Sequence, residues 1–211
     1  MSGLRVLPAG DRALLLVPPD AAVLAGLVED LRRRPVAGVC DYVPAAETVL
    51  VTLTPRARAE VVEARLRERA ERVAARPAEH VDAPEPILVP VRYDGVDLAE
   101  TAALLRISVP ELIERHTGTP WRCAFLGFAP GFGYLESEGA GLPVPRRDRS
   151  RTAVPAGSVA LAGGYSAVYP RSTPGGWRLI GTTRVRMWDL DRAEPALLRP
   201  GARVRFVREE S

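Results

Sequence analysis

The sequence contains no lysine: all 29 of its Lys and Arg residues are arginine. Chemistry that needs an amine on a flexible stem is therefore excluded from this chain. A Walker-type P-loop needs lysine at the phosphates, a Schiff base needs a nucleophilic amine, and an amidase built on serine, serine and lysine needs the lysine as base. Biotin attachment falls with them, so no covalent cofactor is expected. Histidine is nearly as scarce, with only His80 and His116. A zinc site would have to recruit both histidines and the cysteines from scattered positions, so no metal site is expected. Cys40 and Cys123 lack the spacing of a metal knuckle or redox pair and read as small buried hydrophobes in a reducing compartment. No Gly-x-Ser-x-Gly elbow occurs, and the glycines near Gly131 do not fit the dinucleotide fingerprint. There is no stretch of about eighteen uncharged apolar residues and no basic segment followed by an apolar block at the start. The expectation is a cytoplasmic protein that does not engage a membrane.

A net charge of +3 and a pI near 9.2 could suggest nucleic acid, but 26 acidic residues are interspersed with the arginines. Without a long basic block, no nucleic-acid partner is expected. The local run Arg146, Arg147, Arg149 and Arg151 is the exception. Abundant alanine beside the missing lysine points to codon bias, which weakens any single arginine as evidence of selection for bidentate binding.

A chain of 211 residues with 46% apolar content can bury one large core or two small ones. The pattern predicts a strand over Ala13–Val17, a helix from about Asp20 with Val23, Leu24, Leu27, Val28 and Leu31 at helical spacing, and Pro35 as its stop. Val49, Val51 and Leu53 alternate as a second strand, after which Thr54 and Pro55 offer an N-cap and first-turn proline for a long charged helix to about Ala75. This is an α+β domain over residues 1–80. Prolines 77, 84, 86 and 90 mark Arg76–Pro90 as a linker. Beyond it, Ile87–Tyr93 reads as a strand, Asp97 as the cap of a short helix to Leu105, and Ser108 with Glu111 as the capping box of another. Short apolar runs then follow between glycines and prolines: Cys123–Phe128, Val159–Ala162, Leu179–Ile180, Val185–Trp188 and Val204–Val207. They argue for a mainly-β, closed barrel domain over residues 86–211.

Three clusters mix rigid, permissive and aromatic residues over six or more positions. They are Phe128–Leu135, with Pro130, Gly131, Phe132 and Tyr134; Val154–Val159, with Pro155, Ala156, Gly157 and Ser158; and Tyr169–Trp177, with Gly175 and Gly176. Glycine lets backbone approach a ligand, proline fixes a loop, and aromatic rings wall a pocket. Barrel corners that simply need glycine and proline are the alternative. Arg146 and Arg151 could grip a carboxylate or phosphoryl group through paired hydrogen bonds, or could belong to a solvated basic loop. The Ser158 hydroxyl could bind a ligand oxygen, although no base nearby in sequence marks it as a nucleophile. His116 closes a predicted helix, where a cation suits the exposed carbonyls; its competing role is proton transfer. His80 is assigned nothing. Asp94 and Asp97 could help hold a cation, though capping and turn formation explain them as well.

The run Gly127-Phe128-Ala129-Pro130-Gly131-Phe132-Gly133-Tyr134-Leu135, then Pro145-Arg146, Arg151, Val154-Pro155-Ala156-Gly157-Ser158-Val159, Tyr169-Pro170, Pro174-Gly175-Gly176-Trp177 and Ile180-Gly181 resembles the B-type subunit of 5-oxoprolinases. That family of carboxyltransferase subdomains C and D is also called allophanate hydrolase subunit 1 and kinase A inhibitor. Gly10-Asp11-Arg12-Ala13-Leu14 and Val43-Pro44-Ala45 extend the resemblance over essentially the whole chain. It implies a cyclophilin-like β-barrel behind the α+β domain, and a protein inactive alone that acts with a homologous larger C-type subunit (also called allophanate hydrolase subunit 2), together with an A-type subunit. Jointly these would open 5-oxo-L-proline to L-glutamate using ATP with magnesium. On this resemblance His116, Arg146 and Arg151 are the catalytic candidates, and the three clusters bind a small anionic or amide substrate. The alternatives it carries are a regulator that inhibits a sensor histidine kinase, and a carboxyltransferase subunit of the allophanate hydrolase or urea carboxylase type. The chain departs from the pattern at Gly164-Tyr165-Ser166-Ala167, at Gly181-Thr182-Thr183 and around Arg149 and Ser150, which changes the polar groups a ligand would meet.

Overall fold

The computed structural model describes residues 3–75, 85–137, 139 and 142–209. It divides into two units, Met1–Asp82 and Ala83–Ser211. Most of the expected linker, and His80 with it, lies outside the described residues. Among those described, no helix is long and apolar enough to cross a membrane.

In the N-terminal unit, strands β1 (Arg5–Pro8), β2 (Ala13–Val17), β3 (Val39–Pro44) and β4 (Val49–Leu53) form an antiparallel sheet ordered β1-β2-β4-β3. Alternation in the two central strands puts Leu14, Leu16, Val49, Val51 and Leu53 on one buried face. Helices α1 (Ala21–Arg33) and α2 (Ala59–Ala74) supply Leu27, Leu31, Val62 and Leu66 to the same core. The α1 start is where the sequence puts it, since the Asp20 carboxylate accepts from the Val23 amide at 2.8 Å. The α2 start is not. Thr54 and Pro55 make a separate turn, closed by the Ala57 amide on the Thr54 carbonyl at 3.0 Å, and the helix begins at Ala59 behind Arg58, which makes no side-chain cap. Proline at the second position of a turn and proline at the first of a helix share the same φ, so the local signal fits both. Cys40 is exposed on β3, unlike the expected buried thiol, whereas Cys123 is buried.

The C-terminal unit is a mixed, nearly closed seven-stranded barrel. Its strands are β5 (Ile87–Val91), β6 (Trp121–Leu126), β7 (Gly133–Glu136), β9 (Ser158–Ala162), β10 (Tyr165–Val168), β12 (Arg178–Thr182) and β13 (Arg203–Arg208), ordered β12-β9-β10-β7-β6-β13-β5. The pair β13/β5 is parallel and the rest are antiparallel. Arg92 and Thr182 bring the two ends together through reciprocal backbone hydrogen bonds of 2.9 and 2.8 Å. A separate two-stranded ribbon pairs β8 (Arg151–Val154) with β11 (Thr173–Gly175). Val185–Trp188, expected as a strand, runs outside the sheet and makes one isolated bridge, Trp188 to Ala196.

Helices α3 (Leu98–Leu105) and α4 (Val109–Gly118) lie between β5 and β6 in the chain, and the Ser108 hydroxyl caps α4 on the Glu111 amide as expected. Strand β9 is buried along its whole length because both of its faces are covered. Val159 and Leu161 point into the main core with Trp121, Leu135, Ile180 and Phe206, whereas Ala160 and Ala162 point to a second cluster with Phe132, Tyr169 and Trp177. Small alanines on that face leave room for the rings, and these rings wall the candidate site.

Candidate functional site

Phe128, Phe132, Tyr134, Arg146, Ser150, Tyr169, Pro174, Gly175, Gly176 and Trp177 line one cavity of about 270 Å³. The structure thus brings together parts of the first and third glycine-proline clusters with Arg146. The rings meet edge to face, Phe132 lying 5.5 Å from Trp177 and 5.3 Å from Tyr169 between centroids, an arrangement favoured by the ring quadrupole. Glycine is required at 175, where a Cβ would lie 2.4 Å from the Tyr169 hydroxyl oxygen. Burial raises the pKa of that hydroxyl, offset in part by a hydrogen bond with the Trp177 backbone and by the charges of Arg146 and Arg151. It therefore stays protonated at neutral pH and can donate.

The Phe128 backbone is strained. Its φ is +68°, and the Ala129 amide donates to the Gly127 carbonyl at 2.8 Å, which closes a γ-turn of the rare, positive-φ kind. A conformation of this type costs roughly 1–3 kcal/mol for a residue with a side chain.

Arg146 has no ion-pair partner among the described residues. Its neighbours are tied down. The Arg147 amide donates to the Gly176 carbonyl at 2.8 Å, and the Arg147 and Arg151 guanidinium groups both donate to one carboxylate oxygen of Asp97, at 2.9 and 2.8 Å. The other Asp97 oxygen accepts from the Leu179 amide at 2.8 Å. Asp97 does not cap α3 with its side chain, contrary to the sequence reading. Burial would raise its pKa, but the Arg151 hydrogen bond, the Leu179 amide and the charges of Arg151 and Arg147 together hold it below the usual carboxylate range. Arg151 is paired to Asp97 and, unlike Arg146, does not line the cavity, although its Nη1 is buried without a hydrogen-bond partner and its charge acts on Tyr169. Arg178 completes the anchorage through the Pro145 carbonyl at 3.0 Å and Glu100 at 3.0 Å. Arg147, Asp148, Arg149, Glu100 and Arg178 line a second, more polar cleft on the other side of the loop.

His116 lies elsewhere, fully buried in the barrel interior and stacked on Phe206 at 4.3 Å. Both of its ring nitrogens are engaged, Nδ1 with the Tyr93 hydroxyl at 2.7 Å and Nε2 with the Ser166 hydroxyl at 2.8 Å. Burial pushes its pKa down to about 3. Such a histidine is neutral at pH 7 and so does not act as a helix-end cation, and it is not among the residues that line the cavity. Pro130, Gly131, Pro155, Ala156, Gly157 and Ser158 also lie outside the cavity lining. Gly157 has φ +81° and a Cβ there would stand 2.4 Å from the Thr183 carbonyl oxygen, so the second cluster is a barrel corner. Sequence reasoning missed Glu100 and Arg178, and the anchoring role of Asp97, because these residues meet the Arg146 loop only through long-range contacts.

The family model for the carboxyltransferase domain, subdomain C and D, matches residues 4–198. The B-type subunit of 5-oxoprolinase from Escherichia coli O157:H7 is 47% identical over 136 residues, 61% of this chain and 62% of that protein. The Bacillus subtilis protein of the same name is 43% identical over 123 residues, 57% of this chain and 51% of its own length. The chain thus spans between half and two thirds of these relatives. Among solved structures, TTHA0988 aligns with 95% of this chain and 41% of its own at 38% identity and a TM-score of 0.76. The urea amidolyase of Kluyveromyces lactis aligns over 98% of this chain and 15% of its own at 15% identity and a TM-score of 0.73, which shows the fold alone.

Proposed function

The chain belongs to the carboxyltransferase subdomain C and D family, and from that footing we propose that it is the B-type subunit of an ATP-dependent 5-oxoprolinase. It acts with larger C-type and further A-type partners to open 5-oxo-L-proline to L-glutamate. The observation that carries this reading is the Arg146 guanidinium, without an ion-pair partner among the described residues, at the edge of a small aromatic cavity.

The substrate is a five-membered lactam bearing one carboxylate. Arg146 presents the fork that matches a carboxylate. Phe132 and Trp177 offer apolar faces to the ring methylenes, and the protonated Tyr169 hydroxyl can donate a hydrogen bond that orients the lactam. A cavity of about 270 Å³ suits such a ring and falls below the usual range of ligand clefts, roughly 300–1,000 Å³. The chain has no lysine for a P-loop, and among the described residues no three acidic, histidine or cysteine side chains cluster to hold a metal. Phosphoryl chemistry on the lactam oxygen, and the ATP and magnesium it needs, are accordingly assigned to the partner proteins.

The test is to purify the chain alone and with its C- and A-type partners and to assay 5-oxo-L-proline-dependent ATP turnover. Turnover is expected only with all three present. None in any combination rejects the reading.

A further inference from the structure

Phe128 and Arg106 are the non-glycine residues with positive φ among those described. Arg106 is accounted for by ending α3 in the left-handed conformation. Phe128 ends no helix, and its γ-turn would be free of side-chain strain with glycine at that position. Burial does not compensate for the strain either, because the residue is 60% exposed. What the turn does achieve is placement. The ring stands edge to face on Phe132 at 5.2 Å and on Tyr169 at 6.3 Å, both of which line the cavity along with Phe128 itself. The γ-turn therefore sets an incompletely covered aromatic ring over buried rings of the same cavity that Arg146 edges.

Resting on the cavity reading given above, we infer that Phe128 is the specificity-determining cap of this site. Its ring is held ready to cover the flat apolar face of a small ring-shaped carboxylate while Arg146 takes the charge. The cap selects a closed ring over an open chain, so an opened product such as L-glutamate loses the face that Phe128 covers and is bound more weakly than the lactam.

The experiment measures binding of three probes by calorimetry to the full chain and to its Phe128→Gly, Phe128→Ala and Phe128→Leu variants. The probes are 5-oxo-L-proline, benzoate as a flat carboxylate unrelated to the proposed reaction, and L-glutamate. Removing one ring contact is expected to weaken the two ring-shaped probes roughly three- to tenfold in the Gly and Ala variants, with partial recovery in the Leu variant and no change for L-glutamate. Thermal melting accompanies it: Phe128→Gly is expected to melt above Phe128→Ala, since both lack the ring and only glycine relieves the turn. If benzoate binds with this dependence and 5-oxo-L-proline does not bind, the cap stands and the substrate reading falls. Unchanged ring-probe affinity in the variants overturns the cap, as does an equal loss for all three probes. Failure of both ring probes to bind the chain, alone or with its larger partner, overturns both proposals. A loss confined to association with the larger partner shows that the ring faces a protein, and likewise overturns the cap.

Discussion

Asp97 and Arg151 stand 54 residues apart in the chain and 2.8 Å apart in the fold. The same carboxylate holds Arg147 and the Leu179 amide, so one buried side chain joins the start of α3, the loop carrying Arg146 and strand β12. Arg146 is fixed by its anchored neighbours, and its position over the cavity depends on a residue that does not line the cavity.

Asp97→Asn keeps the shape and removes the charge, leaving Arg151 without its counter-ion and Arg147 with Glu100 alone, at 3.7 Å. Breaking a buried pair costs roughly 3–5 kcal/mol, and with both arginines partly exposed the lower end, about 3 kcal/mol, is expected. Denaturant unfolding should show this as a lowered midpoint at unchanged slope. On the proposed function, KM for the lactam in the three-subunit assembly should rise more than kcat falls, because a binding group has been loosened.

The barrel should weaken in acid through two groups. His116 titrates at about 3 in the fold against about 6.5 when unfolded. Between these values the unfolded chain binds the extra proton, so stability falls as pH falls. Linkage gives a loss of about 2 kcal/mol at pH 5 relative to pH 8. Asp97, depressed in the fold, contributes stability that is present above its unfolded pKa near 3.9 and is lost as pH falls further through its folded value. Unfolding free energies of the native chain and of His116→Gln, measured from pH 8 to pH 5, separate the two. The variant should show a flatter profile, and equal slopes would show that His116 does not carry the effect.

Strands β2 and β4, α1 and α4 were legible because their determinants are local: apolar residues at strand spacing in β2 and β4, the Asp20 carboxylate on the Val23 amide, and the Ser108 hydroxyl on the Glu111 amide; β1 and β3, at the edges of the N-terminal sheet, carry no comparable local signal. The Arg146 loop and the aromatic clusters could be singled out by composition. Their division into cavity wall and barrel corner could not, because Gly175 and Gly157 carry the same local signal and differ only in what a Cβ would strike, the Tyr169 hydroxyl in one case and the Thr183 carbonyl in the other. Asp97 and His116 looked like helix-end residues for the same reason. Strand pairing and barrel closure supplied the partners that decide their roles.

Arg146→Ala should leave the fold intact, since the residue is exposed and makes no ion pair among the described residues. A charge-assisted hydrogen bond to the ligand contributes roughly 1.5–3 kcal/mol. Affinity for 5-oxo-L-proline should therefore drop about 10- to 150-fold. Arg146→Lys should recover part of this, because it restores the charge without the fork. Calorimetry on the three proteins, with far-ultraviolet dichroism as the fold control, checks the order Arg, Lys, Ala. Equal binding by all three would show that the carboxylate lies elsewhere.

Barrel closure brings backbone close to backbone, and glycine permits it at Gly95 and at Gly181. At Gly181 a Cβ would stand 2.5 Å from the Arg92 carbonyl oxygen and 2.8 Å from a Val91 methyl. That carbonyl accepts from the Thr182 amide at 2.8 Å, one of the two hydrogen bonds that join β12 to the end of β5. Gly181→Ala must therefore push the strands apart at the seam. Backbone cannot swing aside as a long side chain can, so the cost should reach the upper end of overpacking penalties, about 3 kcal/mol. Gly118→Ala is the matched control, because a Cβ there meets nothing within 4 Å. Amide hydrogen exchange gives the local readout: Arg92 and Thr182 should lose protection in Gly181→Ala and keep it in Gly118→Ala. An opened seam would also free β12, which begins one residue after Trp177 and carries the Leu179 amide bound by Asp97. Loss of lactam binding should then accompany the loss of protection, although Gly181 does not line the cavity.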